Sequence, residues 1–291
     1  MLRDRSKEVL MLSRLRPYIT AIFTGRRLQK IKRGAHELRR RATGSSHRVI
    51  YFHQIDDPYS HLLAQALTRV QGSYDIGVQM RLVPPPADDA APERKALEGY
   101  SRRDAAKIAP FHNLQFDDPG SQPDRDISHL AERALAATGN KISAATKIGE
   151  ALWTGDSHAL AKLPLVSETL AAEQKDIGKR ERESYGHYLG GTIYYAGEWY
   201  WGIDRLPYLE ERLTQAGLRR SGHRQVTEFQ QRPAFMSQPA QRRLTLEFYP
   251  SIRSPYSYVS MPETLDLPHH YPIDLVVRPV LPMVMRNLPV P

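Results

Sequence analysis

Residues 49–60 read Val-Ile-Tyr-Phe-His-Gln-Ile-Asp-Asp-Pro-Tyr-Ser, a β-rich run that leads into the start of a helix. A similar junction occurs 197 positions later, where a second β-rich run leads into Ser-Pro-Tyr-Ser at residues 254–257. The same ungapped offset matches further residues of identical type: Tyr74 with Tyr271, Ile76 with Ile273, Arg81 with Arg278 and Pro85 with Pro282. The chain therefore reads as a tandem repeat.

The two repeats differ in length. The second repeat begins near Arg243, and about 50 residues of it are present, whereas the first has nearly 200 residues before the second begins. We therefore expect the second repeat to be the opening of a domain whose remainder is absent. The predicted organisation is a basic helical arm (1–46), a complete domain (47–218), a linker rich in Arg, Gln, Ser and Pro (219–242) and a truncated second domain (243–291).

The composition is typical of a soluble globular protein, with 41% hydrophobic and 25% charged residues. No run approaches the roughly 18 apolar residues that a bilayer span needs, and no secretory signal is recognisable. The chain contains no cysteine, which excludes disulfides, thiolate metal sites and cysteine nucleophiles within its 291 residues. We expect a soluble, cytoplasmic protein without a bound metal ion.

The net charge of +9 is concentrated in the N-terminal arm, because residues 1–46 contain 13 Lys or Arg and only three acids. Helical spacing of apolar residues predicts two short amphipathic helices, one through Leu12–Phe23 and one across Arg26–Arg41. We expect their apolar side to pack on the folded domain while the charges stay in solvent. The alternative is that the basic arm contacts a protein or an anionic surface, either a membrane or nucleic acid.

The order of predicted elements indicates an α/β fold. A strand at Val49–His53, a helix from Pro58 and an alternating strand at Ile76–Leu82 form a βαβ opening, and four to six helices follow between Pro92 and Tyr185. A hairpin and a closing helix complete the domain: Thr192–Tyr195, Trp199–Trp201 and Leu206–Leu218. This order predicts a thioredoxin-like fold with a helical insertion between its two halves.

This topology, with a strand that runs into Ser-Pro-Tyr-Ser, resembles the 2-hydroxychromene-2-carboxylate isomerase and kappa-class glutathione transferase branch of the DsbA-like thioredoxin superfamily. The resemblance covers residues 47–218 and 243–291 and is carried by short segments. They are residues 49–67, residues 190–206 with Gly-Glu-Trp-Tyr-Trp-Gly-Ile-Asp-Arg-Leu at 197–206, residues 244–258, and residues 276–291 with Arg278-Pro279-Val280-Leu281-Pro282.

The resemblance implies a site in the second repeat. Redox members carry Cys-x-x-Cys at this helix start, where the backbone N–H groups and the helix dipole stabilise a thiolate. This chain has Asp-Pro-Tyr-Ser and Ser-Pro-Tyr-Ser at the two corresponding positions. Neither repeat can therefore exchange a disulfide. In the isomerase branch the first Ser supports the thiolate of bound glutathione, and Ser254 occupies that position. The implied pocket comprises Pro255, Tyr256, Ser257, Arg278 and Pro279.

The first repeat departs from that pattern and predicts a degenerate site made of Asp57, Pro58, Tyr59, Ser60, Gly191 and Thr192. A carboxylate about 4 Å from a thiolate costs about 4 kcal/mol at an effective dielectric near 20, so Asp57 should not activate glutathione unless it is protonated. Asp57 is, however, a good N-cap. Gly191 stands where the superfamily usually has a cis-proline, and we expect no cis peptide before Thr192, because a non-proline cis bond costs about 3 kcal/mol.

The sequence therefore favours a non-redox, glutathione-dependent isomerase that acts on a small aromatic or conjugated substrate. Two alternatives stay open. One is glutathione transfer to an electrophile, which uses the same thiolate; the other is a catalytically degenerate protein that binds a protein partner through its old active-site surface and the basic arm.

Overall fold

The computed structural model describes residues 25–91, 93–228, 242–252 and 254–282. The chain divides into two compact units, with the boundary between Phe229 and Gln230. The opening of the predicted linker lies against the first unit, since the Arg220 amide donates to the Ser73 carbonyl at 3.0 Å and the Val226 amide donates to the Glu210 carboxylate at 2.7 Å.

The described part of the first unit contains eight α-helices and four strands. The helices are α1 (Arg26–Ala42), α2 (Pro58–Ser73), α3 (Arg94–Ile108), α4 (Arg125–Ala137), α5 (Ile142–Trp153), α6 (Ser157–Ala161), α7 (Glu168–Ser184) and α8 (Leu206–Gln215). The strands are β1 (Arg48–His53), β2 (Gly77–Leu82), β3 (Thr192–Tyr195) and β4 (Glu198–Trp201). Short 3-10 turns follow α3 and β4.

The four strands form one mixed sheet in the order β2-β1-β3-β4. β1 and β2 are parallel and are joined by α2, whereas β3 is antiparallel to both β1 and β4. Helices α3 to α7 lie between β2 and β3 in the chain, and α8 follows β4. The predicted thioredoxin-like α/β fold with a helical insertion is therefore confirmed, and the five helices of the insertion fall within the expected number.

The core of the first unit is built around β1 and α2. Five of the six residues of β1 are buried, because the strand lies between two neighbours and is covered by helices. The buried positions of α2 include Leu63, Leu67 and Val70, which recur at helical spacing and face the sheet and α5. This packing fixes the start of α2 at the end of β1, where the candidate site lies.

The second unit contains a smaller βαβ segment among its described residues. It comprises β5 (Leu244–Phe248), α9 (Pro255–His270) and β6 (Ile273–Val277), and β5 pairs with β6 in parallel. Each residue of β5 pairs with the residue 29 positions later, which is also the register between β1 and β2. α9 and α2 also have the same length and occupy positions 197 residues apart. The two βαβ segments thus share their local geometry.

Helix α1 corresponds to the second amphipathic helix predicted in the basic arm; the first lies outside the described residues. Arg33 donates from Nε to Glu198 of β4 at 2.9 Å, and Gln29 donates to the same carboxylate at 2.8 Å. Ile31 and Leu38 remain 67% and 71% exposed. The expectation that the apolar side of the arm packs on the domain is wrong for this helix, because the Glu198 carboxylate binds its polar side instead.

Within the described ranges, no helix combines the length and the hydropathy that a bilayer span requires.

Two Gly-to-Ala changes should have opposite effects on stability, because Gly178 lies in the contact between α7 and β2 whereas Gly72 has open space around it. A Cβ at Gly178 would collide with the Leu82 carbonyl oxygen, whereas a Cβ at Gly72 in α2 would meet nothing within 4 Å. We expect Gly178→Ala to lower the free energy of unfolding by about 1–3 kcal/mol through overpacking. Gly72→Ala should raise it by about 0.5–1 kcal/mol through the higher helix propensity of Ala.

Urea unfolding followed by circular dichroism measures both changes. A Gly178→Ala variant as stable as Gly72→Ala would show that α7 does not pack on β2 at this residue.

Candidate functional site

Asp57 caps the N-terminus of α2 with its own side chain. The carboxylate accepts a hydrogen bond from the Ser60 amide at 2.9 Å, one from the Ser60 hydroxyl at 2.7 Å and one from the Tyr59 amide at 3.3 Å. Pro58 occupies the first helical position and has no N–H to satisfy. The first turn of α2 therefore has its exposed donors engaged internally, as expected for an Asp N-cap.

Gly191 covers this cap from the loop before β3. Its φ is +60°, and a Cβ there would lie 3.2 Å from Asp57 Oδ2 and 3.4 Å from Ser60 Oγ. Thr192 follows as the first residue of β3 and pairs with Phe52 of β1. The structure thus brings Asp57, Ser60 and Gly191 together as the sequence predicts. No cis peptide bond occurs among the described residues, so the expectation of a trans bond before Thr192 is confirmed.

The Asp57 carboxyl is an unusual acid. Burial raises its pKa to about 6, although the hydrogen bonds from Ser60 and Tyr59 act in the opposite direction. A carboxyl with that pKa is still roughly nine-tenths ionised at pH 7. The cap therefore carries a negative charge at neutral pH, which opposes binding of a thiolate at the same place.

Two residues beneath the cap were not predicted as part of the site. The Tyr51 hydroxyl donates to the Ser60 carbonyl at 2.6 Å and lies 2.8 Å from His53 Nδ1. His53 is buried, and its Nε2 has no hydrogen-bond partner among the described residues. Burial lowers the pKa of His53 to about 3, and His61 adds to this effect. The sequence feature that could have indicated His53 is its position at the end of a strongly β-rich run.

His61 of α2 is a second buried histidine close to this cluster. Burial lowers its pKa to about 4, so both histidines are neutral near pH 7. One ring nitrogen of His61 lies 2.9 Å from the Gln65 amide, and its ring packs against Gly149 of α5. The two histidines below the cap are therefore uncharged at neutral pH.

The helical insertion closes one side of the site. The Tyr59 hydroxyl donates to Asp104 of α3 at 2.7 Å, which together with burial raises the pKa of Tyr59. Arg102 of α3 binds Asp118 at 3.1 Å and Gln122 at 2.9 Å, and Gln122 in turn donates to the Asp56 carbonyl. These bonds hold the residue before the Asp57 cap in place.

Ser254 occupies the corresponding cap in the second unit and behaves differently. Its side chain accepts no capping hydrogen bond from the first turn of α9 in the part of the chain described. One local hydrogen bond is repeated, since Ser257 Oγ accepts from the Ser251 amide at 3.0 Å as Ser60 Oγ accepts from the Gln54 amide at 3.3 Å. The start of α9 therefore has donors that its own cap does not use.

The structure divides the predicted pocket of the second unit into two groups. Pro255, Tyr256 and Ser257 form the first turn of α9 beside Ser254, and Tyr256 is 83% exposed. Arg278 instead donates from Nε to Glu247 of β5 at 2.8 Å, and Pro279 is exposed after β6. No hydrogen bond between Arg278 and Ser254 is found among the described residues.

The described ranges also contain no group of three or more His, Asp or Glu side chains that could share a metal ion.

The raised pKa of Asp57 predicts a pH-dependent stability difference between the wild-type protein and Asp57→Asn, which keeps a cap but cannot ionise. The folded protein holds the Asp57 proton up to about pH 6, whereas an unfolded Asp loses it near pH 3.9. Raising the pH through this window should lower wild-type stability relative to the variant by up to about 3 kcal/mol.

Urea unfolding of both proteins between pH 4 and 7 tests this expectation. The buried histidines titrate with the opposite sign in this range, because their folded pKa values are lowered, but their contribution is common to both proteins. A stability difference that stays constant across the range would show that Asp57 ionises as an ordinary surface carboxyl.

Comparison with known proteins finds no matching protein-family model and no matching curated protein. Among solved structures, the chain is similar to 2-hydroxychromene-2-carboxylate isomerase, with a TM-score of 0.44 and 16% identity over 58% of this chain and 96% of that one. It is also similar to a Nitrosomonas europaea protein provisionally named a protein disulfide isomerase, with a TM-score of 0.40 and 13% identity over 59% of this chain and 99% of that one. The assignment of a thioredoxin-like fold rests on the strand order of the chain itself.

Proposed function

We propose that the start of α9 binds the thiolate of glutathione at Ser254, and that the protein is a glutathione-dependent isomerase acting on a small aromatic or conjugated substrate. The observation that supports this proposal is the difference between the two N-caps. The Asp57 carboxylate accepts the hydrogen bonds of its own helix start, whereas the Ser254 hydroxyl accepts none from the described first turn of α9.

The two caps would have opposite electrostatic effects on an anionic ligand. At the first cap an anionic ligand would meet the Asp57 carboxylate, at a cost of about 4 kcal/mol for charges 4 Å apart in an effective dielectric of 20. At the second cap a neutral hydroxyl and unused N–H groups favour an anion. A thiol pKa lowered from about 8.5 to about 6.5 would raise the thiolate fraction at pH 7 from a few per cent to roughly three-quarters.

Each residue of the proposed site in the second unit would have a separate role. Ser254 would donate its hydroxyl hydrogen bond to the sulfur, and the amides of the first turn would stabilise its negative charge. Tyr256, which is exposed next to Ser254, would lie against the conjugated part of the substrate. When bound, glutathione would supply a nucleophile that adds reversibly to the substrate, permits rotation about a carbon–carbon bond and is regenerated.

A specific observation also favours the second candidate function, which is partner binding by a degenerate protein. No described residue of α9 is buried, and Tyr258 and Val259 are exposed one turn beyond the cap. An exposed apolar helix surface can bind another polypeptide. In this case Ser254 would act only as a helix N-cap.

Calorimetric titration of reduced glutathione into the full chain tests the proposed site. Binding should release a proton, because the thiol ionises on entering the site. Ser254→Ala should lose that proton release and weaken binding by about tenfold or more, the effect of one hydrogen bond to a charged group. Ser254→Asp copies the first cap into the second and should abolish binding while keeping α9 capped, because a carboxylate takes the amides and repels the thiolate.

Ser260→Ala provides a matched control in the same helix, since the Ser260 hydroxyl is exposed and, among the described residues, donates to the Ser257 carbonyl. It should bind glutathione like the wild-type protein. Absence of binding at millimolar glutathione, or equal binding by Ser254→Asp and the wild type, would overturn the proposal and favour partner binding. If binding is present, following free glutathione during turnover separates an isomerase, which regenerates it, from a transferase, which consumes it.

A further inference from the structure

Helix α1 presents an apolar stripe to solvent. Leu28, Ile31, Ala35 and Leu38 follow the i, i+3, i+4 spacing of one helix face. Ile31, Ala35 and Leu38 are exposed, and Leu28 is half-buried. Exposed apolar residues scattered singly are ordinary on a protein surface, but a continuous stripe along one helix is not.

The opposite side of α1 is attached to the first unit by polar contacts. Glu198 of β4 accepts hydrogen bonds from Gln29 and Arg33, and His36 packs against Gly197 in the turn between β3 and β4. Glu198 also lies 3.6 Å from Arg212 of α8. These contacts set the rotation of α1 about its own axis and so keep the apolar stripe turned away from the domain.

Cationic side chains border the stripe on both sides. α1 contains eight Lys or Arg and one acid, Glu37, which is bound by Arg40 and Arg41. At 100° per residue, Arg27 and Arg41 lie along one edge of the stripe, and Lys32 and Arg39 lie along the other. All four of these cations are exposed.

We infer that α1 is an interfacial helix that lays its Ile31–Leu38 stripe into the surface of an anionic lipid bilayer. An apolar face flanked by Lys and Arg inserts at the boundary between headgroups and acyl chains, while the cations bind anionic headgroups. Nucleic acid would require the cations alone and would leave the apolar stripe in water. The combination of stripe and flanking cations therefore favours a membrane over nucleic acid.

The test uses co-sedimentation of the full chain with phosphatidylcholine vesicles, with and without about one-third phosphatidylserine. We expect binding to the anionic vesicles, and weaker binding at 1 M salt, where charges are screened within about 3 Å. The double variant Ile31→Ser/Leu38→Ser leaves every charge in place and should lower the affinity at least tenfold, because two apolar side chains no longer enter the bilayer.

A matched control lies on α7, where Leu170 and Ile177 are also seven residues apart and are 41% and 46% exposed. That helix carries five acids and four bases, so Leu170→Ser/Ile177→Ser should not change vesicle binding. Equal loss in both double variants, or no binding to anionic vesicles, would overturn the inference. Binding of a single-stranded RNA with no dependence on the Ile31–Leu38 stripe would instead assign α1 to nucleic acid.

Thermal unfolding of the same variants tests whether the stripe is instead covered by another part of the chain. Exposed side chains contribute little to stability, so Ile31→Ser/Leu38→Ser should unfold like the wild-type protein. A clear loss of stability together with absent vesicle binding would show that the stripe is covered within the chain, which also contradicts the inference.

Discussion

The hydrogen bonds between Asp57 and the first turn of α2 occupy the amides that begin this helix. In this fold the start of α2 is the place where an anion can bind, because its amides point into the loop before β3. Asp57 supplies that anion from within the chain. Gly191 lies so close to the cap that a methyl group on its Cα would be only 3.2 Å from the Asp57 carboxylate. The neutral histidines His53 and His61 lie below the cap, and the Tyr59–Asp104 hydrogen bond lies beside it.

The second βαβ segment shows what the same backbone offers when the cap is neutral. The strand register, the length of the helix and the Ser257 hydrogen bond reproduce those of the first unit, whereas the cap residue and the burial of the helix do not. The two helix starts therefore differ in the cap side chain, Asp57 or Ser254, and in the burial of the helix that follows. The proposed glutathione site depends on this difference more than on any pocket residue, since Arg278 is engaged with Glu247.

Local sequence patterns predicted the fold well. The β-rich run of β1, the alternation in β2 and the helical spacing in α2 are short-range signals that the structure preserves. The approach of Gly191 to Asp57 could also be predicted, because the fold places that loop over the helix start. The side of α1 that faces the domain could not, because it depends on Glu198, which lies 165 residues away from Arg33. The buried His53 was not predicted for a related reason. Its place beneath the cap depends on the Tyr51 hydroxyl, which contacts both His53 and the Ser60 carbonyl, and not on its position in the strand.

The left-handed conformation of Gly191 also restricts which residues could replace it. A proline at this position would need φ near −65°, whereas the present backbone has +60°. A cysteine in place of Asp57 would leave the first turn without its carboxylate acceptor. Replacing the cap and the loop residue together would therefore involve two separate segments of the chain, and the loop would also have to change its backbone conformation.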